Sequence, residues 1–310
     1  MRVAAIDIGT NSALLTVAER DAANVVRIVL DRATVTRLGQ GVDATRRLTP
    51  EATARTLACL ASYAATLREL KVDRLAVVGT SALRDVGNAS GFANDAAAIL
   101  GVAPEVIAGT VEAELSFRGA LSGLGLSGPV VVVDIGGGST EVVTGRSGHD
   151  RATATAFRSV DVGCVRLTER HVSTDPPTAT DIADIVEDTR SAFRTLGLAA
   201  DVGSLVAVAG TATTLAAMQL QLDAYDSKRV HGFVLSKQEV DSLVERLRRA
   251  SHAQRSRMKG LEPQRADVIV AGSIMLATFL DEFSHPCVTV SDRGLRFGLI
   301  DSLFDAEPIA

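Results

Sequence analysis

The sequence predicts two similar mixed α/β domains with a cleft between them. At residues 3–12 an apolar strand is followed by an acid, a glycine and small polar residues, and the same sequence pattern occurs again at residues 129–141. Each copy is followed by alternating strand and helix patterns, and hairpins followed by βα units favour an α/β fold. A chain of 310 residues is long enough for two cores. We place the hinge in the glycine-rich run at 123–128, which gives domains at 1–124 and 125–310.

The first domain is predicted to start with a strand meander and to continue with βα units. Its strands are Val3–Ile8, Leu14–Ala18, Val25–Leu30, Thr34–Leu38, Arg74–Val78 and Pro104–Ile107. A helix opens at Thr49-Pro50-Glu51, where an N-cap residue, a first-turn proline and an acid coincide, and its apolar stripe runs to Leu70. Further helices are expected at Gly91–Leu100 and Thr110–Leu121.

The second domain is predicted to repeat this scheme. Its strands are Val130–Ile135, Glu141–Gly145, Thr153–Val160, Leu205–Ala209 and Val288–Val290. Its helices are Ala179–Leu196, Thr213–Leu222, a segment after Ser236, Arg265–Phe283 and Leu295–Phe304. Ser236 with Glu239 three residues later forms a capping-box pattern, which marks the start of the helix between them.

Composition narrows the class of protein. The net charge of −5 and the absence of tryptophan argue against a nucleic-acid binder. No apolar run approaches the ~20 residues of a membrane span, and the first residues form a strand without a basic leader. Three scattered cysteines suit a reducing compartment, so we expect a cytoplasmic protein. A basic cluster at 246–259 is interpreted as a solvated helix face rather than a polyanion site.

The stretch at residues 134–141 has the composition of a phosphate and metal site. Glycines allow backbone N–H groups to approach a ligand closely, and Ser139 and Thr140 add hydroxyl donors. Asp134 and Glu141 bracket the turn with two carboxylates, which suits Mg²⁺ bound through carboxylates, waters and substrate phosphates. The alternative is an ordinary β-turn between two strands. Repetition favours the functional interpretation, since turns of glycine and hydroxyl residues follow strands at 7–12, 79–81 and 210–214 as well.

The chain resembles the exopolyphosphatase and guanosine pentaphosphate phosphohydrolase family over nearly its whole length. The similar stretches include residues 7–12, 78–84, 112–113, 134–141, 163–169, 209–215, 230–232, 265–269 and 291–296. The resemblance implies two actin-like, ribonuclease H-like domains of the acetate kinase, sugar kinase, heat-shock protein and actin superfold, flanking a central cleft. It also suggests a homodimer, while the membrane and nucleic acids are not expected partners.

The implied activity is hydrolysis of the terminal phosphate of inorganic polyphosphate, or of guanosine pentaphosphate, with Mg²⁺ or alternatively Mn²⁺. Phosphoryl transfer depends mainly on positioning and charge neutralisation, which gives the matching residues a physical rationale. Asp134 and Glu141 are expected to hold the metal, and Arg84 to clamp phosphate oxygens through its planar guanidinium. The expected phosphate ligands are Asp7, Gly9, Thr10, Asn11, Ser12, Gly136, Gly137, Gly138, Ser139, Thr140, Gly210, Thr211 and Thr213.

Glu112 matches the family's catalytic glutamate and is predicted to activate the attacking water. The alternative is a first-turn acid that stabilises its helix by about 0.3–1 kcal/mol. Three positions depart from the family pattern: Leu14 replaces a frequent basic residue, Val111 replaces the first of two glutamates, and Phe297 replaces a polar residue. Two further hypotheses therefore stay open, an ATP-using kinase or ATPase of the same superfold and a non-catalytic sensor of polyphosphate or a phosphorylated nucleotide.

Overall fold

The computed structural model describes residues 1–21, 25–84, 86–148, 152–199 and 203–305. The first part of the chain forms a strand meander followed by strands that alternate with helices. In order these elements are β1 (Arg2–Ile8), β2 (Ser12–Arg20), β3 (Val26–Val35), α1 (Val42–Thr45), α2 (Pro50–Glu69), β4 (Arg74–Gly79), α3 (Ser81–Arg84), α4 (Ala89–Leu100), β5 (Glu105–Val106) and α5 (Gly109–Leu121). Among the described residues, no helix combines the length and apolar character needed to cross a membrane.

The remainder of the chain repeats the meander and adds a larger set of helices. These elements are β6 (Gly128–Ile135), β7 (Thr140–Ser147), β8 (Thr153–Val160), α6 (Cys164–His171), α7 (Ala179–Arg194), β9 (Ser204–Val208), α8 (Ala209–Gln219), α9 (Ser227–Val230), β10 (Val234–Ser236), α10 (Lys237–Arg249), α11 (His252–Arg255), a 3₁₀ turn (Pro263–Arg265), α12 (Ile269–Glu282), β11 (Cys287–Val290) and α13 (Leu295–Asp305). Ser236 and Glu239 form the capping box at the start of α10, as the sequence predicts.

The chain divides into two compact units, each built on one sheet. The first unit comprises Met1–Leu115 together with the C-terminal segment from Leu295, and the second comprises Ser116–Gly294. The first sheet has the strand order β3-β2-β1-β4-β5, and the second has β8-β7-β6-β9-β11-β10. In both, an antiparallel hairpin is followed by a parallel strand beside its first strand. The predicted fold class of two similar α/β domains is confirmed.

The unit bounds differ from the predicted boundary after residue 124. The division falls inside α5, and α13 belongs to the first unit. The reason is apolar burial, because Leu299 and Ile300 of α13 pack with Val3 and Ala5 of β1. The opposite face of the same sheet is covered by α2 and α4, which form a second core around Leu60.

Three predicted elements also have different bounds in the structure. The strands expected at Val25–Leu30 and Thr34–Leu38 form the single strand β3, paired with β2 along its length. The polar Asp31 in its middle has partners within the unit: it accepts a hydrogen bond from Thr16 at 2.7 Å and lies 2.9 Å from Arg296. The long helix expected at Arg265–Phe283 starts only at Ile269, after a 3₁₀ turn.

Candidate active site

The two glycine turns are closed by equivalent backbone hydrogen bonds. In the first unit the N–H of Gly9 donates to the carbonyl of Ser12 at 3.0 Å, and in the second Gly136 donates to Ser139 at the same distance. Each turn closes the hairpin between the first two strands of its sheet. The internal repeat seen in the sequence is therefore a repeat of structure.

The turn of the second unit is held by its carbonyl groups. The carbonyls of Gly136 and Gly137 accept hydrogen bonds of 2.9 to 3.1 Å from the backbone N–H groups of the first three residues of α6. In a trans peptide the C=O and N–H point in opposite directions, so the amides of Gly137 and Gly138 point away from α6. Within the described parts of the chain, neither amide nor that of Ser139 donates a hydrogen bond. Three adjacent N–H groups on one side of a turn form a nest suited to an anion.

Asn11 is the residue of the first turn whose environment points most directly to a ligand. Its side chain is buried, and among the described residues neither amide oxygen nor amide nitrogen has a hydrogen-bond partner. The backbone carbonyl of Asn11 accepts from Thr36 and Arg37, and that of Thr10 from Gly39, at 2.9 to 3.0 Å. An unsatisfied buried amide costs about 1–3 kcal/mol, a cost that a bound ligand would remove.

Asp134 and Glu141 lie directly opposite each other on β6 and β7, so their side chains share one face of the sheet. Asp134 accepts a hydrogen bond from Ser116 of α5 at 3.2 Å, and Glu141 accepts one from Ser159 of β8 at 2.9 Å. Burial raises the pKa of Asp134 from 3.8 to about 6, because removal from water disfavours the charged carboxylate; the bond from Ser116 opposes this shift. A cation beside this pair would favour the ionised form.

The register shows why the two turns are not equivalent as metal sites. Asp7 in the first unit occupies the position of Asp134, but the residue opposite it is Leu14 rather than an acid. The described residues contain no cluster of three or more His, Cys, Asp or Glu side chains with metal-binding geometry. Two oxygen donors from Asp134 and Glu141, completed by water and phosphate, fit Mg²⁺, which typically keeps several waters. The donor set thus fits the ion expected from the sequence.

The two predicted catalytic residues are in contact within the first unit. Nη1 of Arg84, the last residue of α3, lies 3.2 Å from Oε2 of Glu112 in the first turn of α5. The same Arg84 nitrogen donates to the carbonyl of Ile107 at 3.2 Å. Glu112 is only 8% exposed, which is more burial than a surface helix-capping acid needs. The contact orients both side chains and links the two strand-to-helix turns that carry them.

The predicted ligands at the start of α8 sit in an unusual backbone. Ala209, the first helical residue, has a left-handed φ of 68°, and a side chain at Gly210 would collide with the guanidinium of Arg265. Non-glycine residues adopt such a φ mainly where surrounding structure imposes it, often at functional sites. Thr211 is buried, and the hydroxyl of Thr213 donates to the carbonyl of Ala209 at 3.1 Å.

Like Thr213, two further predicted phosphate ligands have hydroxyl groups engaged inside their own unit. Thr140 is fully buried and donates to the carbonyl of Val162 at 2.7 Å, which differs from the expected bond to phosphate. Thr10 is buried and its hydroxyl lies 2.9 Å from that of Ser81, the first residue after the Gly79-Thr80 turn. Both threonines fix the turns rather than extend from them.

Three neighbours of the site were not anticipated from the sequence: Ser116, Ser159 and Arg166. The two serines orient the carboxylates of Asp134 and Glu141, and nothing in their local sequence signals this because the contacts come from other elements. Arg166 does carry a signal. A cation in the first turn of a helix opposes the helix dipole, so its presence there indicates a specific acceptor.

The basic cluster at 246–259 is dispersed in the structure. Arg248 and Arg249 pair with Glu245 on the surface of α10 at 2.6 and 2.9 Å. Arg255 is buried, where it contacts Asp175 at 3.1 Å and donates to backbone carbonyls. These residues serve the fold of the second unit, which agrees with the solvated-face interpretation for Arg248 and Arg249 and gives Arg255 a structural role.

Two α/β units with the same strand arrangement, each with a glycine turn whose carbonyls accept backbone hydrogen bonds and the second with paired carboxylates, define a two-domain α/β protein with an internal structural repeat. Residues 16–307 match the sequence model of the Ppx/GppA phosphatase family. The chain belongs to this family, as the resemblance stated above implies.

Several similar proteins match nearly the whole length of the chain. Exopolyphosphatase 2 of Mycobacterium tuberculosis is 40% identical over 97% of this chain and 98% of its own length. A guanosine-5'-triphosphate,3'-diphosphate pyrophosphatase of Vibrio atlanticus is 31% identical over 97% of this chain, which spans 59% of that relative. Among solved structures, an exopolyphosphatase-like protein has a TM-score of 0.91 at 35% identity with 98% coverage of both chains. The Ppx/GppA member from Aquifex aeolicus has a TM-score of 0.82 at 33% identity with 99% coverage of both.

Proposed function

We propose that this chain is a Mg²⁺-dependent exopolyphosphatase that hydrolyses the terminal phosphoanhydride bond of inorganic polyphosphate. The observation that carries the proposal is the turn at Gly136–Ser139, where three amides without acceptors in the described chain adjoin two carboxylates in register. The full-length similarity to an exopolyphosphatase of M. tuberculosis supports this choice of substrate. Each phosphate of the substrate carries the negative oxygens that such amides bind.

Each group of residues named above has a chemical role in the proposed reaction. Glu112 accepts a proton from the attacking water as the new P–O bond forms, while the bond from the terminal phosphorus to the bridging oxygen breaks. The products are orthophosphate and a polyphosphate chain one unit shorter. Arg84 is assigned to the oxygens of the transferred phosphate, and its 3.2 Å contact places its charge beside Glu112. The amides of Gly137, Gly138 and Ser139 are assigned to phosphate oxygens.

Asp134 and Glu141 would hold the Mg²⁺ ion, with Mn²⁺ as an alternative of the same coordination chemistry. When bound, the ion would neutralise phosphate charge and polarise the phosphoryl oxygens. The remaining residues named for phosphate binding, at the first turn and at the start of α8, would position the chain of phosphates. Thr140 contributes to this arrangement through the fold of the turn, since its hydroxyl bonds to Val162.

Hydrolysis of guanosine pentaphosphate is the second candidate. The relative from V. atlanticus is named for that class of nucleotide and is 31% identical to this chain. The same turn would bind its terminal phosphates, so the choice between substrates lies in groups beyond the reacting phosphorus. A non-catalytic sensor is the third candidate, because Leu14 and Val111 depart from the family pattern.

One experiment separates these candidates. Release of orthophosphate is measured with short polyphosphate, long polyphosphate, guanosine pentaphosphate and ATP, each with Mg²⁺, Mn²⁺ or EDTA. We expect the highest kcat/KM with polyphosphate and no release of orthophosphate in EDTA. Preference for guanosine pentaphosphate would support the second candidate, and binding without turnover would support a sensor. Transfer from ATP to an added acceptor would revive the kinase hypothesis.

We further propose that the protein acts as a homodimer in the cytoplasm. The cysteines Cys59, Cys164 and Cys287 are all free thiols, which suits a reducing compartment. The dimer is supported by the family resemblance, and light scattering coupled to size exclusion tests it. A mass of 32.4 kDa in solution would contradict the dimer.

A further inference from the structure

Arg166 is a buried cation that no step of the proposed reaction uses. It lies in the first turn of α6 and is 5% exposed. Its Nε donates a hydrogen bond to the carbonyl of Gly138 at 2.8 Å. A guanidinium so deeply buried is costly unless its donors are satisfied by specific acceptors. One such acceptor is Gly138, the last glycine of the turn at Gly136–Ser139.

The bond from Arg166 completes a series. The backbone of α6 already holds the carbonyls of Gly136 and Gly137 through three N–H groups. The next N–H of α6, that of Leu167, bonds to the carbonyl of Gly163, and the carbonyl of Gly138 accepts from the side chain of Arg166 instead. Three consecutive peptide groups of the turn are therefore held from the same side.

Close packing makes this attachment rigid. A side chain at Gly163, the residue before α6, would come within 2.4 Å of the carbonyl group of Gly137 and 2.6 Å of the nitrogen of Gly138. Only glycine lets the start of α6 come this near to the turn. The turn and the helix thus form one body, and the side chain of Arg166 is part of the contact between them.

The geometry assigns to Arg166 the orientation of the Ser139 amide toward phosphate. The carbonyl of Gly138 and the N–H of Ser139 belong to the same planar trans peptide and point in opposite directions. Because Arg166 fixes the carbonyl, it fixes the N–H as well. Arg166 is on this basis a positioning residue that acts through the turn, and the inference rests on the proposed phosphate-binding function.

The same logic explains why the residue is an arginine. The turn at the end of β1 is held through the backbone N–H groups of Thr36, Arg37 and Gly39, and Arg55 in turn donates to the carbonyl of Thr36 at 2.5 Å. Each unit therefore stabilises its turn with an arginine. In the second unit Arg166 bonds to the turn itself, and in the first unit Arg55 bonds to Thr36, which itself bonds to the turn. Planar guanidinium donors lose little freedom when they bind a carbonyl.

The test compares Arg166→Met and Arg166→Ala, which remove the donor, with Arg166→Lys, which keeps one. Arg170→Met is the matched control, because Arg170 lies on the same helix, is about 40% exposed and pairs with Asp188 at 3.1 Å. The kcat and KM for tripolyphosphate and calorimetric binding of tripolyphosphate are measured for each folded variant. A misplaced donor typically costs about 10- to 100-fold, so we expect that loss in kcat/KM for Arg166→Met. We expect at least half of the lost activity on a logarithmic scale to return in Arg166→Lys or when ethylguanidinium is added to Arg166→Ala.

Two results would overturn the inference. One is an Arg166→Met protein with wild-type binding and turnover, and the other is a loss that neither lysine nor ethylguanidinium restores in folded protein. If Arg166→Met does not fold, the wild-type protein decides: amide resonances of Gly137, Gly138 and Ser139 must shift on titration with tripolyphosphate, and unshifted resonances would refute the assignment. These titrations do not depend on turnover. A wild-type protein that binds but releases no phosphate would reject the proposed hydrolase while leaving the role of Arg166 intact.

Discussion

Arg84 and Glu112 are 28 positions apart in the chain, yet their side chains meet at 3.2 Å. The sequence indicates each residue separately through the family resemblance, but the contact depends on how α3 and α5 pack within the first unit. Sequence patterns describe periodicity along one element and carry no distance between elements. The ion pair therefore had to come from the structure, and it favours a site role for Glu112 over a simple helix-stabilising acid.

The substitution Glu112→Gln is expected to lower kcat for polyphosphate by about 10²- to 10⁴-fold, because a general base of this kind contributes that much. Glutamine keeps the shape of the side chain and a hydrogen-bond acceptor for Arg84, so the fold should remain. Release of orthophosphate under saturating substrate measures the effect. The control is Glu114→Gln, an exposed residue of the same helix, which should retain activity. Turnover of Glu112→Gln within a few fold of wild type would exclude this base.

A second prediction concerns the left-handed Ala209. Its φ of 68° strains an L-residue by about 1–2 kcal/mol, whereas glycine accepts this backbone freely at the cost of a more flexible unfolded chain. We expect Ala209→Gly to leave the free energy of unfolding unchanged or to raise it by up to about 1 kcal/mol. The matched Ala212→Gly, inside the same helix, should lower it by about 1 kcal/mol. Urea unfolding measures both, and equal losses in the two variants would contradict the strain.

At the scale of elements, the hairpin of β6 and β7 brings together two carboxylates, one from each strand. The sequence predicts both strands, the turn and the two acids, because buried valines and glycines are strong local signals. The register that places Asp134 opposite Glu141 follows from turn length. Other contacts depend on elements outside the hairpin. Ser116 donates from α5 and Ser159 from β8, and the hydroxyl of Thr140 bonds to Val162 in the segment before α6. Such contacts between elements leave little trace in a single sequence.

The raised pKa of Asp134 predicts a dependence of stability on pH. The folded state holds this proton with a pKa of about 6 and the unfolded chain with 3.8, so the stabilisation is full well below pH 4 and is lost as pH rises to 6. In EDTA, Asp134→Asn should therefore gain about 2 kcal/mol relative to wild type between pH 4 and pH 7.5, because part of the effect is already lost at pH 4. Urea unfolding at the two pH values measures this. The exposed Asp161→Asn should show no such gain, and parallel pH profiles for wild type and Asp134→Asn would contradict the prediction.

Metal binding by the same pair predicts a separate effect on stability. A ligand that binds only the folded state stabilises it by about 1.4 kcal/mol for each tenfold excess over Kd. At pH 7.5, Mg²⁺ should raise the unfolding midpoint of the wild-type protein and leave those of Asp134→Asn and Glu141→Gln nearly unchanged. Differential scanning fluorimetry over a Mg²⁺ series measures the shifts. Equal shifts in all three proteins would show that the ion binds elsewhere.

At the scale of the whole molecule, the chain returns to its first unit after completing the second. The sequence predicts α13 as a helix but assigns it to the second domain by proximity in the chain. In the structure α13 belongs to the first unit, because Leu295, Leu299 and Ile300 pack against apolar residues of β1 and β4. A carbonyl contact at Gly298, where a side chain would lie 2.3 Å from the oxygen of Leu115, adds a close approach of α13 to α5. Neither feature has a local sequence signal.

The substitution Leu299→Ala is expected to lower the stability of the first unit selectively. Truncation of a buried leucine typically costs about 2–5 kcal/mol, and the cavity would form against the first sheet. Hydrogen exchange measured by mass spectrometry should show faster exchange in β1 and β2 than in β6 and β9. Leu247→Ala in α10 should give the opposite pattern, since Leu247 belongs to the core of the second unit. Uniform exchange in both variants would mean that the units unfold together.

The return of α13 also bears on how the protein is made. Domains usually fold in the order in which the ribosome delivers them. Here every residue from Ser116 to Gly294 is synthesised before the helix that covers one face of the first sheet. The first unit, although its synthesis begins earlier, must therefore wait until α13 has been translated, whereas the second unit has all its described elements before that point.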